Sequence, residues 1–414
     1  MKTKKHTKKQ LTKKHIYYFV KCHDDFKDDL DGYILEQYLN KLNVKPDNKS
    51  MATIKNIDIN FFKKNNKQIS TYCYKPVNLP PFNKNIINAD IFILNSNSTH
   101  TNKRFYDIPK YLVNLLNSDT IKQIFNKFII TKTFMTINPK LCDFFIPITF
   151  KITEIDKYKF GDNMPIKWYI LRPIDSFGGD DIKYISNIEE LNDAMHYYNT
   201  TKNYKSHLYK NNVIASEYIH NPLLFNNKKF HLRLYYLVSY TNNILNTFLL
   251  DFGKILTAKE PFDMNKPFTK NKHDTHVDST ERDYIFPDDY TINTINKFCD
   301  PVEIFNKIIP IFSMLTSIIK NNKKKLLYPN ETNAYHIFGA DIMIDDNFIP
   351  KLIELNESPG FSSRNIHVKQ ILSHNIYKWL NDTVLEPLLK YNNPLLARKH
   401  KTYIKPYNGL YFNL

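Results

Sequence analysis

Cysteine is scarce and scattered in this chain. The four present, Cys22, Cys73, Cys142 and Cys299, form no CxxC pair. Neither a zinc site nor a disulfide framework is expected, and a reducing, cytoplasmic setting is the default. Glycine is also rare, at 8 of 414 residues, while Asn, Lys and Ile abound; this is the bias of an AT-rich genome rather than a functional signal. No apolar run approaches the roughly 18 residues of a membrane span. No signal-peptide core follows the basic start. A soluble chain with no membrane partner, working as a monomer, is therefore expected. Acid is in short supply too: 41 Asp and Glu against 58 Lys and Arg give a net charge of +17. Such a surface attracts polyanions, and nucleic acid, an anionic membrane surface and acidic protein tails satisfy it equally. At 42% hydrophobic and 14% aromatic, the 414 residues can build a core of two or three layers in more than one lobe.

Residues 1–15 carry seven lysines and no acid, so self-repulsion predicts a disordered basic arm, with nuclear targeting as its alternative use. Strand patterns at Ile16 to Lys21, Ile54 to Phe62 and Ile86 to Leu94 alternate with a helical pattern through Tyr33, Leu35, Tyr38 and Leu39. That alternation predicts a small α/β lobe over 16–118. A helix follows from Asp119 to Phe134, then an aromatic strand from Cys142 to Phe150. The strand at Lys167 to Pro173 delivers Arg172, and the turn at Gly178 and Gly179 can lay backbone N–H groups against phosphate oxygens. Ile188 to Tyr198 reads as an amphipathic helix, and Val213 to Leu224 as a strand entering a turn.

Over Lys228 to Val238 the period is two. Lys229, His231 and Arg233 share one face, and Phe230, Leu232 and Leu234 the other. A strand apolar on one side and cationic on the other suits a site for phosphates; a solvated face is the competing reading. Glu303 to Lys320 reads as an apolar helix interrupted or kinked at Pro310. Near the C-terminus, His336 to Gly360 predicts a hairpin turning at Asp345, Asp346 and Asn347. A fold about Asn347 and Phe348 puts Asp341 opposite Glu354, with Asn356 on the same face. Two carboxylates and an amide oxygen make a hard-cation site for Mg2+, against the plain alternative of a hairpin with its polar face in water.

The run G-A-D, a hairpin, then L-I-E-L-N-E-S-P-G resembles the metal-binding end of the ATP-grasp ligases, specifically the tubulin tyrosine ligase-like family. Further matches follow in the family's order, from Cys142 to Leu389. These are the strand with Arg172 where the family has lysine, the stretch Glu217-Tyr218-Ile219 before Asn221-Pro222, and the family pattern K-F-D-x-R at Lys229 to Arg233. The resemblance implies an ATP-grasp fold of mixed α/β (α+β) class. A central lobe spans 119–216, a C-terminal lobe with the metal hairpin 217–400, and a tail 401–414. It further implies an adenine pocket at Glu217, Tyr218 and Ile219, phosphate contacts from Arg172, Gly178, Gly179, Lys229 and Arg233, and catalytic charge neutralisation by Lys229 and Arg233. Mg2+ falls to Asp341, Glu354 and Asn356.

The implied activity is ATP-dependent ligation of a free amino acid to a protein acceptor, an acidic tubulin-like tail being one candidate, through an acyl phosphate. Besides Arg172, six positions depart from the family pattern: Asp180, Asp181, His231, Asp251, Leu256 and His276. The first two set acids beside a polyphosphate, and Asp251 and Leu256 remove family arginines. These losses leave open a protein that holds nucleotide without ligating, and the basic surface leaves open a nucleic-acid binder. The family's upstream lysine has two candidates in sequence, Lys122 and Lys132. A metal site at His273, Asp274, His276 and Asp278 is a further candidate.

Overall fold

A computed structural model of the chain describes residues 17–21, 71–73, 91–95, 112–116, 118–137, 140, 145–152, 168–174, 181–200, 213–241, 244–264, 268–275, 300–327, 333–357, 359, 379, 383 and 411–413. The basic arm 1–15, the strand expected at 54–62, the helix at 33–39, the glycine turn at 178–180, Cys142 and His276 lie outside them. So does most of the segment from 368 to 389.

The centre is a pair of long antiparallel strands, β10 (Lys228–Thr241) and β11 (Ile244–Thr257). Along its other edge β10 pairs antiparallel with β12 (Asn333–Ile344), which turns back into β13 (Pro350–Asn356). With neighbours on both edges, the backbone donors and acceptors of β10 are satisfied within the sheet. Its apolar face then packs on helix α5 (Pro301–Leu326). Ile304, Ile308, Ile311, Leu315 and Ile318 recur at helical spacing and join Phe230, Leu232, Leu234 and Phe338 in one core. Each such side chain contributes about 1.5–3 kcal/mol when fully buried. Tyr236 and Thr247 reach Thr316 on the same helix at 2.9 and 3.0 Å between their oxygens, so the polar atoms of this layer are paired as well. The helix continues through Pro310 rather than stopping there.

The large sheet extends through β4 (Leu112–Leu115), which lies parallel to β12, to β3 (Ile91–Asn95), β1 (Tyr17–Lys21) and β2 (Thr71–Cys73), all parallel. The strands expected near Ile16 to Lys21 and Ile86 to Leu94 are thus present, the second shifted toward its C-terminal end. On the far edge β14 (Tyr411–Asn413) pairs with β11.

A smaller antiparallel sheet has the order β5 (Thr149–Lys151), β8 (Val213–Glu217), β6 (Tyr169–Pro173) and β7 (Lys183–Ile185). Helix α3 (Ile188–Thr200) covers one face, burying Leu191, Ala194 and Tyr198 against Leu171, Val213 and Ala215. The aromatic segment before β5 is strand only from Thr149 onward; Phe145 to Ile148 are not extended into the sheet. Pro147 has no N–H to give a ladder, which limits the strand to its C-terminal end.

The expected single helix from Asp119 to Phe134 is two, α1 (Ser118–Phe125) and α2 (Lys127–Ile137). Asn126 breaks it and caps α2: its Oδ1 accepts from Ile129 N–H at 2.9 Å.

Candidate nucleotide and metal site

The small sheet and the β12–β13 hairpin border one cavity of about 260 Å³. Ile170 and Ile182 on one side, with Met343 and Leu352 from the hairpin, give it an apolar part. The rest is charged.

At the hairpin the register pairs Asp341 with Glu354 and Gly339 with Asn356. The turn follows the sequence expectation. Phe348 N–H donates to Asp345 O at 3.0 Å, and Phe348 itself takes φ of 57°. Between Asp341 and Ile342 the register slips by one residue on β13, a bulge that leaves Ile353 without a cross-strand partner. Glu354 and Asn356 line the cavity. Asp341 lies beneath them, only 1% exposed. Arg233 Nε and Nη2 donate to its two oxygens, Asn356 Nδ2 donates to Oδ2 at 3.3 Å, and His231 Nε2 stands 3.5 Å from Oδ1. Arg233 is buried, which lowers its pKa, yet the Asp341 carboxylate more than offsets this and leaves it above the ordinary arginine value.

Glu354 has its own cations. Lys127 Nζ lies 2.5 Å and Arg172 Nη1 3.5 Å from Oε2. Burial, reinforced by neighbouring Arg172, pushes the Lys127 pKa down to about 8, against the pull of Glu354. Burial also lowers that of Arg172. Arg172 Nε is buried with no hydrogen-bond partner among the described residues. A cation that lines a cavity with a donor to spare suits an anion such as phosphate.

Lys127 is the lysine that sequence reasoning missed. Lys122 is exposed and pairs with Glu357 at 3.4 Å, and Lys132 is exposed over the Phe128 ring; neither lines the cavity. One signal was available. Asn126 is a good N-cap, and a lysine in the first turn behind it opposes the helix dipole, so its position calls for another reason.

Lys229 occupies a separate position. It is 3% exposed, donates to the Tyr218 hydroxyl at 3.1 Å and faces Asp274; the Tyr218 hydroxyl also meets His273 Nδ1 at 2.7 Å. Burial lowers the Lys229 pKa to about 7, with Asp274 opposing, and burial together with Lys229 lowers that of His273 to about 4. Glu217 and Ile219 line the cavity, whereas Tyr218 is buried behind it. The N–H groups of Glu217 and Tyr218 are taken by Ile148 O and Trp168 O, at 2.9 and 2.8 Å.

The cationic face of β10 is buried, not solvated: Lys229, His231 and Arg233 are each at most 9% exposed. Asp181 takes φ of 58° and accepts at Oδ1 from the Tyr197 hydroxyl at 2.7 Å, and its backbone O accepts from Tyr198. Its carboxylate is thereby held on α3 and does not line the cavity, contrary to the expected repulsion of phosphate. Gly178 and Gly179 lie outside the described residues. Among those residues no three His, Cys, Asp or Glu gather as a metal site; His276 and Asp278, the other two members of the set expected with His273 and Asp274, lie outside them.

The set Asp341, Glu354 and Asn356 fits Mg2+ by its chemistry, two carboxylates and an amide on adjacent strands. Each carboxylate now holds a cation, so a metal would bind by taking their place.

Residues 136–391 match the model of the Tubulin-tyrosine ligase family. The probable alpha-tubulin polyglutamylase Ttll1 of Tetrahymena thermophila is 26% identical over 232 residues, 53% of this chain and 55% of its own length. The probable tubulin polyglutamylase ttll-9 of Caenorhabditis elegans is 27% identical over 218 residues, 48% of this chain and 52% of its own. The chain thus spans about half the length of these curated relatives. A solved structure, the C-terminal domain of K. lactis Pby1, described as an ATP-grasp enzyme interacting with the mRNA decapping enzyme Dcp2, superposes with a TM-score of 0.54. It is 16% identical, with 92% of this chain and 98% of that one covered. The fold is ATP-grasp. Among the described residues, no helix is long and apolar enough to cross a membrane.

Proposed function

Because the chain belongs to the tubulin-tyrosine ligase family, we propose that it is an ATP-dependent ligase that joins an amino acid to a carboxylate of an acidic protein tail. The observation that carries this reading is the gathering of Asp341, Glu354 and Asn356 beside the cations Lys127, Arg172 and Arg233 at one cavity. Mg2+ held by the three oxygen-bearing side chains would supply neutralisation of phosphate charge and Lewis-acid polarisation of the transferred group.

The chemistry needs no covalent enzyme intermediate. A carboxylate oxygen attacks the γ-phosphorus of ATP, the bond to the bridging oxygen breaks, and ADP leaves with that electron pair. The amine nitrogen then attacks the acyl carbon, phosphate departs, and the nitrogen loses a proton. Lys127, Arg172 and Arg233 oppose the negative charge on the phosphoryl oxygens. Lys229, next to Tyr218 and Asp274, holds the nucleoside end rather than the transferring group. Relatives named as tubulin polyglutamylases favour an acidic tubulin-like tail as acceptor over nucleic acid, and the net charge of +17 is compatible with either.

The test is a peptide of tubulin-tail type incubated with the protein, Mg2+, ATP and each amino acid in turn. The expected result is a mass gain of one amino-acid residue, accompanied by ADP, which Glu354→Gln abolishes while keeping the native circular dichroism. No gain with any amino acid, despite Mg-ATP binding, would remove ligation. No raised melting temperature with Mg2+ and a nonhydrolysable ATP analogue would remove the nucleotide site itself.

A further inference from the structure

Asp341 has a second neighbour on its own face of the sheet. Arg233 stands directly across from it on β10. His231, two residues along β10, shares the face of Arg233 and is the diagonal neighbour, a separation that a long side chain can cross. Its Nε2 lies 3.5 Å from Asp341 Oδ1, and the two residues are 2% and 1% exposed. On the other edge of β10 the residue paired with His231 is Leu256, an apolar side chain. In so dry a setting the dipole of an imidazole N–H acts strongly on a carboxylate.

The other nitrogen of the ring is held as well. Nδ1 meets Thr275 Oγ1 at 2.6 Å. Thr275 comes two residues after the short helix α4 (Lys270–His273), whose C-cap Asp274 donates its N–H to Lys270 O at 2.8 Å. The hydroxyl is therefore carried by a backbone with a fixed end. A carboxylate beside Nε2 favours the tautomer with its proton there, and a neutral ring then accepts the Thr275 hydroxyl at Nδ1. The clamped ring presents an N–H to Oδ1.

The two oxygens of Asp341 have unlike surroundings. Oδ2 accepts from Asn356 Nδ2, and Asn356 lines the cavity; Oδ1 faces the buried imidazole. We propose that His231 is a positioning residue, which holds Asp341 Oδ1 so that Oδ2 is the oxygen offered to a divalent ion at Asp341, Glu354 and Asn356. This rests on the metal-site reading above. Donors behind a ligating carboxylate fix its orientation and tune its affinity by about 10–100-fold. An ionised aspartate at this position, as in the pattern K-F-D-x-R, has no donor to give Oδ1.

The experiment follows Mn2+, which takes oxygen ligands as Mg2+ does, by its electron paramagnetic resonance signal in the presence of a nonhydrolysable ATP analogue. The natural protein is compared with His231→Leu, His231→Gln and Thr275→Val, and circular dichroism checks folding. Affinity for the analogue alone, in excess EDTA, is measured beside it. His231→Leu is expected to weaken Mn2+ binding by about tenfold or more while changing metal-free analogue affinity by less than about twofold. In His231→Gln the amide nitrogen reaches as far along the side chain as Nε2, and Mn2+ affinity returns to within about threefold of the natural value. Thr275→Val, which frees the ring to turn, falls between the natural protein and His231→Leu. Unchanged Mn2+ affinity in a folded His231→Leu overturns the inference, as does equal loss of Mn2+ and metal-free analogue binding. If His231→Leu does not fold, Thr275→Val decides, and natural Mn2+ affinity there overturns the inference. A natural protein that binds neither Mn2+ nor the analogue removes the site reading itself, and the inference with it.

Discussion

Arg233 and Asp341 are direct partners across the β10–β12 pairing, and the guanidinium donates to both carboxylate oxygens, Nη2 to Oδ2 at 3.0 Å. With Asp341 at 1% exposure, the pair is a buried one whose members depend on each other. Removing only the cation strands a carboxylate out of water. Arg233→Met should destabilise the protein by about 3–5 kcal/mol, whereas Arg233→Met with Asp341→Leu should recover much of the loss. Urea unfolding of the two variants checks this; equal loss in both would mean that the pair is not coupled.

Lys229 makes stability depend on pH. Its folded pKa is lowered from 10.5 to about 7 by burial, so between those values the unfolded chain holds a proton that the folded chain lacks. Stability then rises with pH across that window, and Lys127, lowered to about 8, adds to the rise from its own value upward. Lys229→Met should remove the larger part, on the order of a few kcal/mol. Urea midpoints at about pH 7 and about pH 9.5 measure the difference; an unchanged slope in the variant would contradict the buried-lysine assignment.

Lys127→Met should weaken Mg-ATP binding by about tenfold or more, since it deletes a cation beside Glu354. Lys132→Met, a change to an exposed lysine outside the cavity, should leave binding within about twofold. Titration calorimetry on both separates the two lysines, and the reverse order would move the phosphate site.

Gly339 sits where a side chain has no room. An added Cβ would stand 2.6 Å from Pro359 Cβ and 3.0 Å from Arg233 Cδ. Gly339→Ala should therefore cost about 1–3 kcal/mol and displace Arg233. Its thermal midpoint and its Mg-ATP affinity should fall together; a lower midpoint with full affinity would mean that Pro359 alone yields.

Much of the site was legible because strands index their side chains by twos. The alternation over Lys228 to Val238 put Lys229, His231 and Arg233 on one face, and the Asp-Asp-Asn turn set Asp341 opposite Glu354, as the register has it. What sequence could not give was depth. Asp341 and Tyr218 are buried behind the cavity wall, Asp181 is turned onto α3, and the bulge at Ile353 leaves no trace in composition. Lys127 was hidden because the helical period runs smoothly through Asn126, and only the capping geometry separates α1 from α2.

Glu354 joins elements that are otherwise distinct: Lys127 comes from α2, Arg172 from the small sheet, and the carboxylate from the hairpin of the large one. On the proposed reading, a divalent ion that claimed this carboxylate would displace both cations together. Those cations would then be available to the oxygens of an incoming triphosphate. On that reading, occupancy would proceed by trading counterions rather than by exposing bare charge.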